Sequence, residues 1–446
     1  MSRRGGWLLA TLAAACGTQP QAPAADPRAA FSSLRYDAQS PPADVSNRYG
    51  NDPRAAKLGQ AMFFDTRLSG QLVDPDNGTL AGTLGSRGQP GRVSCAGCHI
   101  PTSGFVDTRS PGKQISLAAE WTARKTPMLL EGAFVSLFNW DGGRDSMWRQ
   151  AIGVMESERE FNSGRLFIAE QIFQLYRADY EAIFGAMPPL DDSTRFPAVS
   201  AENAGCLPAP AATHLQYVCH GKPGDGAEYD GMTADAQTAV TRVMVNAAKA
   251  ISAYVRQLRC GEGRFDAWID GDDSALSDSE RRGAMLFVGP ANCVPCHSGS
   301  NLTDNQFHNV GLTPIHVAAA FVDQGDRGAI VGVAAVLNDP LNVRSPFSDG
   351  DDGRLAVAVT GSMESAFRTP SLRCAATHPS FMHTGQIGSV ADTVAFFDRG
   401  GDPPGAYSGK SEIAPLGLSV DDRADLTAFM MALQGAGPDA TLLTSP

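Results

Sequence analysis

Cys95-Ala-Gly-Cys98-His99 and Cys293-Val-Pro-Cys296-His297 carry the decisive pattern of this chain. Each stretch holds two thiols three positions apart, with a histidine directly after the second. In one helical turn that spacing lets both sulfurs add to the two vinyl groups of a single haem, and the adjacent imidazole falls beneath the iron as proximal ligand. From the chain's residue frequencies the pattern is expected by chance only about 0.003 times. Two occurrences therefore call for two covalently bound haem c groups, one on Cys95, Cys98 and His99 and one on Cys293, Cys296 and His297. Zinc or thioredoxin-type chemistry is the competing use of such paired cysteines, but no further pair completes a zinc shell and the histidine follows both times. Cys219-His220 is not a third site, because Gln216 stands where the first thiol is required.

The surroundings of the two sites repeat. Leu58-Gly-Gln-Ala-Met-Phe-Phe64 precedes the first and Arg282-Gly-Ala-Met-Leu-Phe287 the second, with Gly59 and Phe63 matching Gly283 and Phe287. Far downstream of each comes a helix with apolar residues at i, i+3, i+4 and i+7, within Ile251–Leu258 and Leu426–Leu433. A helix before a haem and a helix after it is the minimal wrapping of a c-type cytochrome. The expected fold is mainly α, with two cytochrome c-like haem domains over 45–260 and 275–446 and long loop insertions. Residues 261–280, rich in Gly, Asp and Ser, read as the linker, and 69–92 and 201–234 as surface loops.

Composition narrows the function. The chain has 446 residues, 43% of them hydrophobic, enough for a core and against a disordered chain. Lys and Arg number 36 against 48 Asp and Glu, and the net charge of −12 comes with no basic block, which argues against a nucleic-acid partner. No run of 18 apolar residues occurs, so the mature chain is not expected to span a membrane. Residues 1–25 read as a signal peptide: Arg3 and Arg4, an apolar stretch from Trp7 to Ala15, then Cys16. Ala13-Ala14-Ala15-Cys16 has the form of a lipoprotein site, with Ala13 where Leu is usual, and cleavage after Ala22-Pro23-Ala24 is the alternative. Either places the protein in the periplasm, with membrane contact only through a lipid anchor at Cys16.

Five further stretches carry a family resemblance: Leu58-Gly to Phe64-Asp-Thr-Arg-Leu-Ser69, Phe138-Asn-Trp-Asp-Gly142, Phe307-His-Asn-Val-Gly311, Phe367-Arg-Thr-Pro-Ser-Leu-Arg373 and Phe381-Met-His-Thr-Gly385. With the haem motifs, they make the chain from about residue 50 onward resemble the bacterial di-haem cytochrome c peroxidases and their MauG-type relatives. The resemblance implies an exported, haem-dependent oxidoreductase that reduces hydrogen peroxide with electrons from a small c-type cytochrome or copper protein. MauG-type members instead oxidise a partner protein. A non-catalytic di-haem electron carrier is the reading from another class.

Carried over by position, the haem at Cys95, Cys98 and His99 resembles the peroxide-binding haem and that at Cys293, Cys296 and His297 the electron-transfer haem. Trp140 matches the tryptophan between the two, and Gln150 and Glu160 match the distal pair. A carboxylate there can shuttle a proton between peroxide oxygens, which a plain carrier would not need. Three departures stand out. No histidine occurs between His99 and His214, where many relatives place a distal ligand, so the first iron is expected to be open; the corresponding window begins at Gln114. Phe397 stands where the C-terminal haem usually finds Met or Tyr, which leaves five-coordination or ligation by Met382. Lys125 replaces an asparagine ligand of the family's interdomain calcium, whose other ligands match Thr377 and Pro379. An ammonium only donates, so calcium is doubtful.

Once the haem sulfurs and Cys16 are assigned, Cys206, Cys219, Cys260 and Cys374 remain, with three connectivities open. Cys206–Cys219 would close a local loop and Cys260–Cys374 would tie the domains; free buried thiols are the alternative. His308, His316, His378 and His383 read as hydrogen-bonded structural residues rather than ligands.

Overall fold

The computed structural model describes residues 26–109, 115–208, 217–315 and 326–446. The signal segment with Cys16, and Gln114, His214 and His316, lie outside these. The described elements are mainly helical: α1 (Pro53–Phe64), α2 (Cys95–Cys98), α3 (Met147–Glu156), α4 (Arg165–Phe184), β1 (Gly205–Pro208), β2 (Tyr217–His220), α5 (Ala234–Val255), α6 (Arg264–Ile269), α7 (Asp278–Val288), β3 (Phe307–His308), α8 (Ala329–Leu337), β4 (Phe367–Arg368), α9 (Val390–Asp398) and α10 (Val420–Ala432). Local chemistry sets their starts. Asp52 accepts from the Arg54 N–H at 2.8 Å, with Pro53 opening α1, and Ser277 with Glu280 forms a reciprocal capping pair at α7.

The internal repeat is visible in how the helices cross. α1 lies against α5 at Gly59, where a Cβ would sit 1.9 Å from the carbonyl oxygen of Ala250. α7 lies against α10 at Gly283, where a Cβ would sit 2.0 Å from the carbonyl oxygen of Asp425. Each helix pair approaches so closely that only glycine fits at the crossing. Phe63 then meets Tyr254 and Phe287 meets Phe429, with ring centroids 5.0 and 5.4 Å apart.

Two main cores follow. The first gathers α1, α3, α4 and α5 around Trp148, Ile168, Val243 and Tyr254. The second gathers α6, α7 and α10 around Phe265, Phe287 and Phe429, and takes in Phe31 and Leu34 from a 3-10 turn at Pro27–Leu34. The chain thus enters through the second core before building the first.

Two sequence expectations are corrected. Residues 261–280 are not a bare linker: α6 lies within them and buries Phe265 and Trp268. The acidic and glycine residues around it mask one short apolar face. Residues 201–234 are not loop alone, because β1 and β2 pair antiparallel with Cys206 opposite Cys219. A disulfide joins those two cysteines, and a second joins Cys260 to Cys374 across 114 residues of chain. Residues 69–92 hold no helix or strand of their own.

Candidate functional site

α2 is the single turn that the first motif demands. The His99 N–H donates to the Cys95 carbonyl at 2.8 Å, which brings Cys95, Cys98 and the imidazole together. His99 Nδ1 lies 3.0 Å from the carbonyl oxygen of Phe105. A carbonyl only accepts, so Nδ1 carries the proton and Nε2 keeps its lone pair for a metal. Burial lowers the His99 pKa, which keeps the ring neutral.

The second motif repeats each feature. The His297 N–H donates to Cys293 at 2.9 Å, and Nδ1 lies 2.9 Å from the Leu302 carbonyl oxygen. Burial again lowers the His297 pKa. Both accepting residues are held left-handed, Phe105 at φ 59° and Leu302 at φ 51°. For a bulky L-residue that conformation costs about 1–2 kcal/mol. Its recurrence shows that aiming a carbonyl at the proximal histidine is part of the repeat. Sequence reasoning missed both residues, since neither side chain advertises the role.

Cys95, Cys98 and His99 line a cavity with about 350 Å³ open to water-sized molecules. Ordinary packing voids rarely exceed one water, so this space calls for an occupant. Trp140, Gln150, Glu160 and Lys125 line the same cavity. The fold thus brings Trp140, Gln150, Glu160 and Lys125 to one cavity with the first motif. Ser146 caps α3 by accepting from the Arg149 N–H at 3.1 Å, and Gln150 follows on the first turn. Beyond the helix a turn is pinned at both ends: the Glu160 N–H donates to Ser157 at 3.2 Å, and its carbonyl accepts from Ala119 at 3.1 Å. Burial raises the Glu160 pKa, against the opposing pull of Ser157 and Arg144. Trp140 also borders a smaller cavity with Asn301, Thr303 and Arg368, on the side of the second motif.

The residues present fit haem. The four motif thiols are unpaired and half-buried, beside a neutral imidazole at each site and a large cavity at the first. Burial pushes Cys95 up to about 12 and Cys98 up to about 11, so both are neutral thiols as the chain stands. Among the described residues, no histidine other than His99 lines the large cavity.

The calcium donor set does not fit. Lys125 is buried, and burial lowers its pKa to about 8. His378, between Thr377 and Pro379, is lowered to about 3 by burial and then by the Lys125 charge. The ammonium therefore lies beside the remaining candidate ligands. His308 is bonded to Asp304 and Glu412 at 2.9 and 2.7 Å, and His383 to Asp326. The His378 Nε2 has no hydrogen-bond partner, contrary to the expectation for that residue.

Residues 53–204 match the model of the family described as di-haem cytochrome c peroxidase. The methylamine utilization protein MauG of Methylorubrum extorquens is 26% identical over 396 residues, covering 88% of this chain and 82% of that protein. The cytochrome-c peroxidase IdrP1 of a Pseudomonas species is 27% identical over 403 residues, covering 89% and 85%. The chain is thus similar, over residues 53–204 and along most of the length of these relatives, to the di-haem cytochrome c peroxidases. On these similarities it is an oxidoreductase carrying two c-type haems. The crystal structure of the diheme peroxidase BthA from Burkholderia thailandensis shares the fold, with a TM-score of 0.59, 20% identity, and coverage of 90% of this chain and 93% of that one. Among the described residues, no helix is long and apolar enough to cross a membrane.

Proposed function

We propose that this di-haem peroxidase is exported to the periplasm and reduces hydrogen peroxide in the cavity at Cys95, Cys98 and His99. The haem domains are 45–260 and 275–446, residues 1–25 are the export signal, and Cys16 is the point of lipid attachment if the chain is anchored. His99 and His297 would each hold a haem iron through Nε2, with thioethers to Cys95 and Cys98 and to Cys293 and Cys296. The haems, when bound, supply the site for peroxide and the path for electrons. Two electrons and two protons convert one peroxide into two waters.

The chain's own groups handle the protons and the route. Glu160 takes the proton from the near peroxide oxygen and returns it to the far one as the O–O bond breaks. The Gln150 amide donates to a peroxide oxygen and orients it. The Trp140 ring lies between the two cavities and carries the electron or hole across. The haem that Cys293, Cys296 and His297 would hold would take electrons from a small c-type cytochrome or copper protein. Phe397 has no lone pair to offer, so beside His297 the candidate ligand for that haem would be Met382.

The observation that carries this reading is the shared cavity of His99, Trp140, Gln150 and Glu160. Peroxide-dependent oxidation of a reduced small cytochrome by the purified holoprotein tests it, and absence of turnover would reject it. One observation favours a second reading, the MauG-type oxidation of a partner protein: among the described residues, His99 is the single histidine on the cavity. A protein radical or cross-link formed with peroxide alone would support that reading.

A further inference from the structure

Arg368 is a half-buried guanidinium with no ion pair among the described residues. It borders both the large cavity at Cys95 and the smaller one toward Asn301 and Thr303. Its Nε reaches the Asn139 carbonyl at 3.4 Å and its Nη1 the Thr369 carbonyl at 3.5 Å, both at the outer limit of a hydrogen bond. No charged side chain offsets its burial, which alone lowers its pKa to about 10. A half-buried guanidinium that lines two cavities and pairs with no carboxylate favours an anion in those cavities.

Glu160 also lines the larger cavity but exerts no electrostatic pull on Arg368, and the other carboxylates on the two cavities are already engaged. Glu131, on the smaller cavity, accepts from the Tyr36 hydroxyl, from Arg259 and from the Cys260 N–H. Asp141, on the larger cavity, is paired with Arg124 at 2.7 Å. The missing negative charge must therefore come from an occupant of the cavities. A haem c carries two propionate carboxylates, and a guanidinium grips a carboxylate through two parallel N–H donors. Lys125, a second cation on the large cavity and itself buried, reinforces the demand for negative charge there.

We infer that Arg368 binds a haem propionate at the seam between the two haem sites and through it ties haem position to Trp140. The Arg368 N–H donates to the Trp140 carbonyl at 2.7 Å, so the guanidinium and the ring sit on one hydrogen-bonded pair of segments. Arg368 is a positioning residue: it acts on the propionate and on Trp140, not on peroxide. A fixed positive charge beside a haem favours the reduced iron, so its loss should lower that haem's potential. The inference rests on haem at these motifs, which the haem content of the wild-type protein checks separately, and it does not depend on peroxide turnover.

The test is a redox titration of Arg368→Gln and Arg368→Lys holoproteins followed through the two haem spectra. In Arg368→Gln one potential is expected to fall and to become more pH-dependent, because the propionate loses the partner that keeps it ionised. Arg368→Lys is expected to hold that potential near the wild-type value. Unchanged potentials and pH profiles in Arg368→Gln, with two haems per chain, would overturn the inference. So would an Arg368→Lys potential as low as that of Arg368→Gln. If Arg368→Gln fails to mature, the resonance Raman propionate band of Arg368→Lys decides: a shifted band is expected, and a band identical to wild type overturns the assignment.

Discussion

The indole N–H of Trp140 donates to the carbonyl oxygen of Lys125 at 2.8 Å. That bond fixes the ring on the wall shared by the two cavities. Lys125 in turn donates its own N–H to the His383 carbonyl at 2.9 Å, so the ring is held from the second half of the chain as well. Trp140→Phe keeps an aromatic ring but leaves the Lys125 carbonyl without its donor. Slower electron transfer between the haems is expected, with peroxide affinity nearly unchanged. Stopped-flow reduction of each haem separates the two quantities, and an unaltered inter-haem rate would reduce Trp140 to packing.

Glu160→Gln is isosteric and cannot move a proton. The peroxide step should slow by about 10²–10⁴-fold, the usual range for a lost acid–base group. The carboxylate form is the base, and burial raises its pKa above the ordinary carboxylate range. The wild-type rate should therefore rise with pH through that raised pKa, and the rising limb should vanish in Glu160→Gln. A pH profile of the peroxide step in both proteins reads this directly.

An open first iron has a spectroscopic consequence. The fully oxidised holoprotein should bind cyanide at the His99 haem without prior reduction, since no second described histidine lines that cavity. Glu160→Gln should leave cyanide binding in place. Inertness until one electron is added would mean that a residue such as His214 or His220 supplies a sixth ligand.

The second iron offers a different spectroscopic contrast. Met382 is half-buried and held at φ 68°, in the turn that precedes Gly385. If its thioether ligates the His297 haem, Met382→Ala should abolish a low-spin signal at that haem. An unchanged electron paramagnetic resonance spectrum would leave five-coordination.

Stability should carry a pH signature from Glu170, on α4 in the first core. Its carboxyl is buried, with one weak contact from the Val199 N–H at 3.4 Å, and burial pushes its pKa up to about 7. A raised folded-state pKa favours the protonated form. The associated stability is complete below the ordinary value of 4.5 and is lost as pH rises through about 7. Glu170→Gln should therefore melt at a higher temperature than wild type at pH 8 and at nearly the same temperature at pH 4. Parallel melting curves at the two pH values check it.

Much of the fold was legible because its signals are local. Gly59 and Gly283 could be matched by eye, and both mark a helix crossing that no side chain could occupy. The linker reading failed over 261–280 because Phe265 and Trp268 look like isolated apolar residues until α7 and α10 enclose them. Arg368 lay in view within Phe367-Arg-Thr-Pro, yet its lack of an anionic partner depends on which carboxylates reach it.

Haem attachment was determined by the sequence alone, because two thioethers and a proximal imidazole must come from five consecutive residues. Only the tertiary structure decided which groups face those residues. Glu160, Gln150 and Trp140 reach the Cys95 cavity through the packing of α3 and the loops around it, and Arg368 reaches it from more than two hundred residues downstream. Such contacts are fixed by where helices cross and where burial leaves charge unpaired, and those are properties of the packed chain rather than of any one segment.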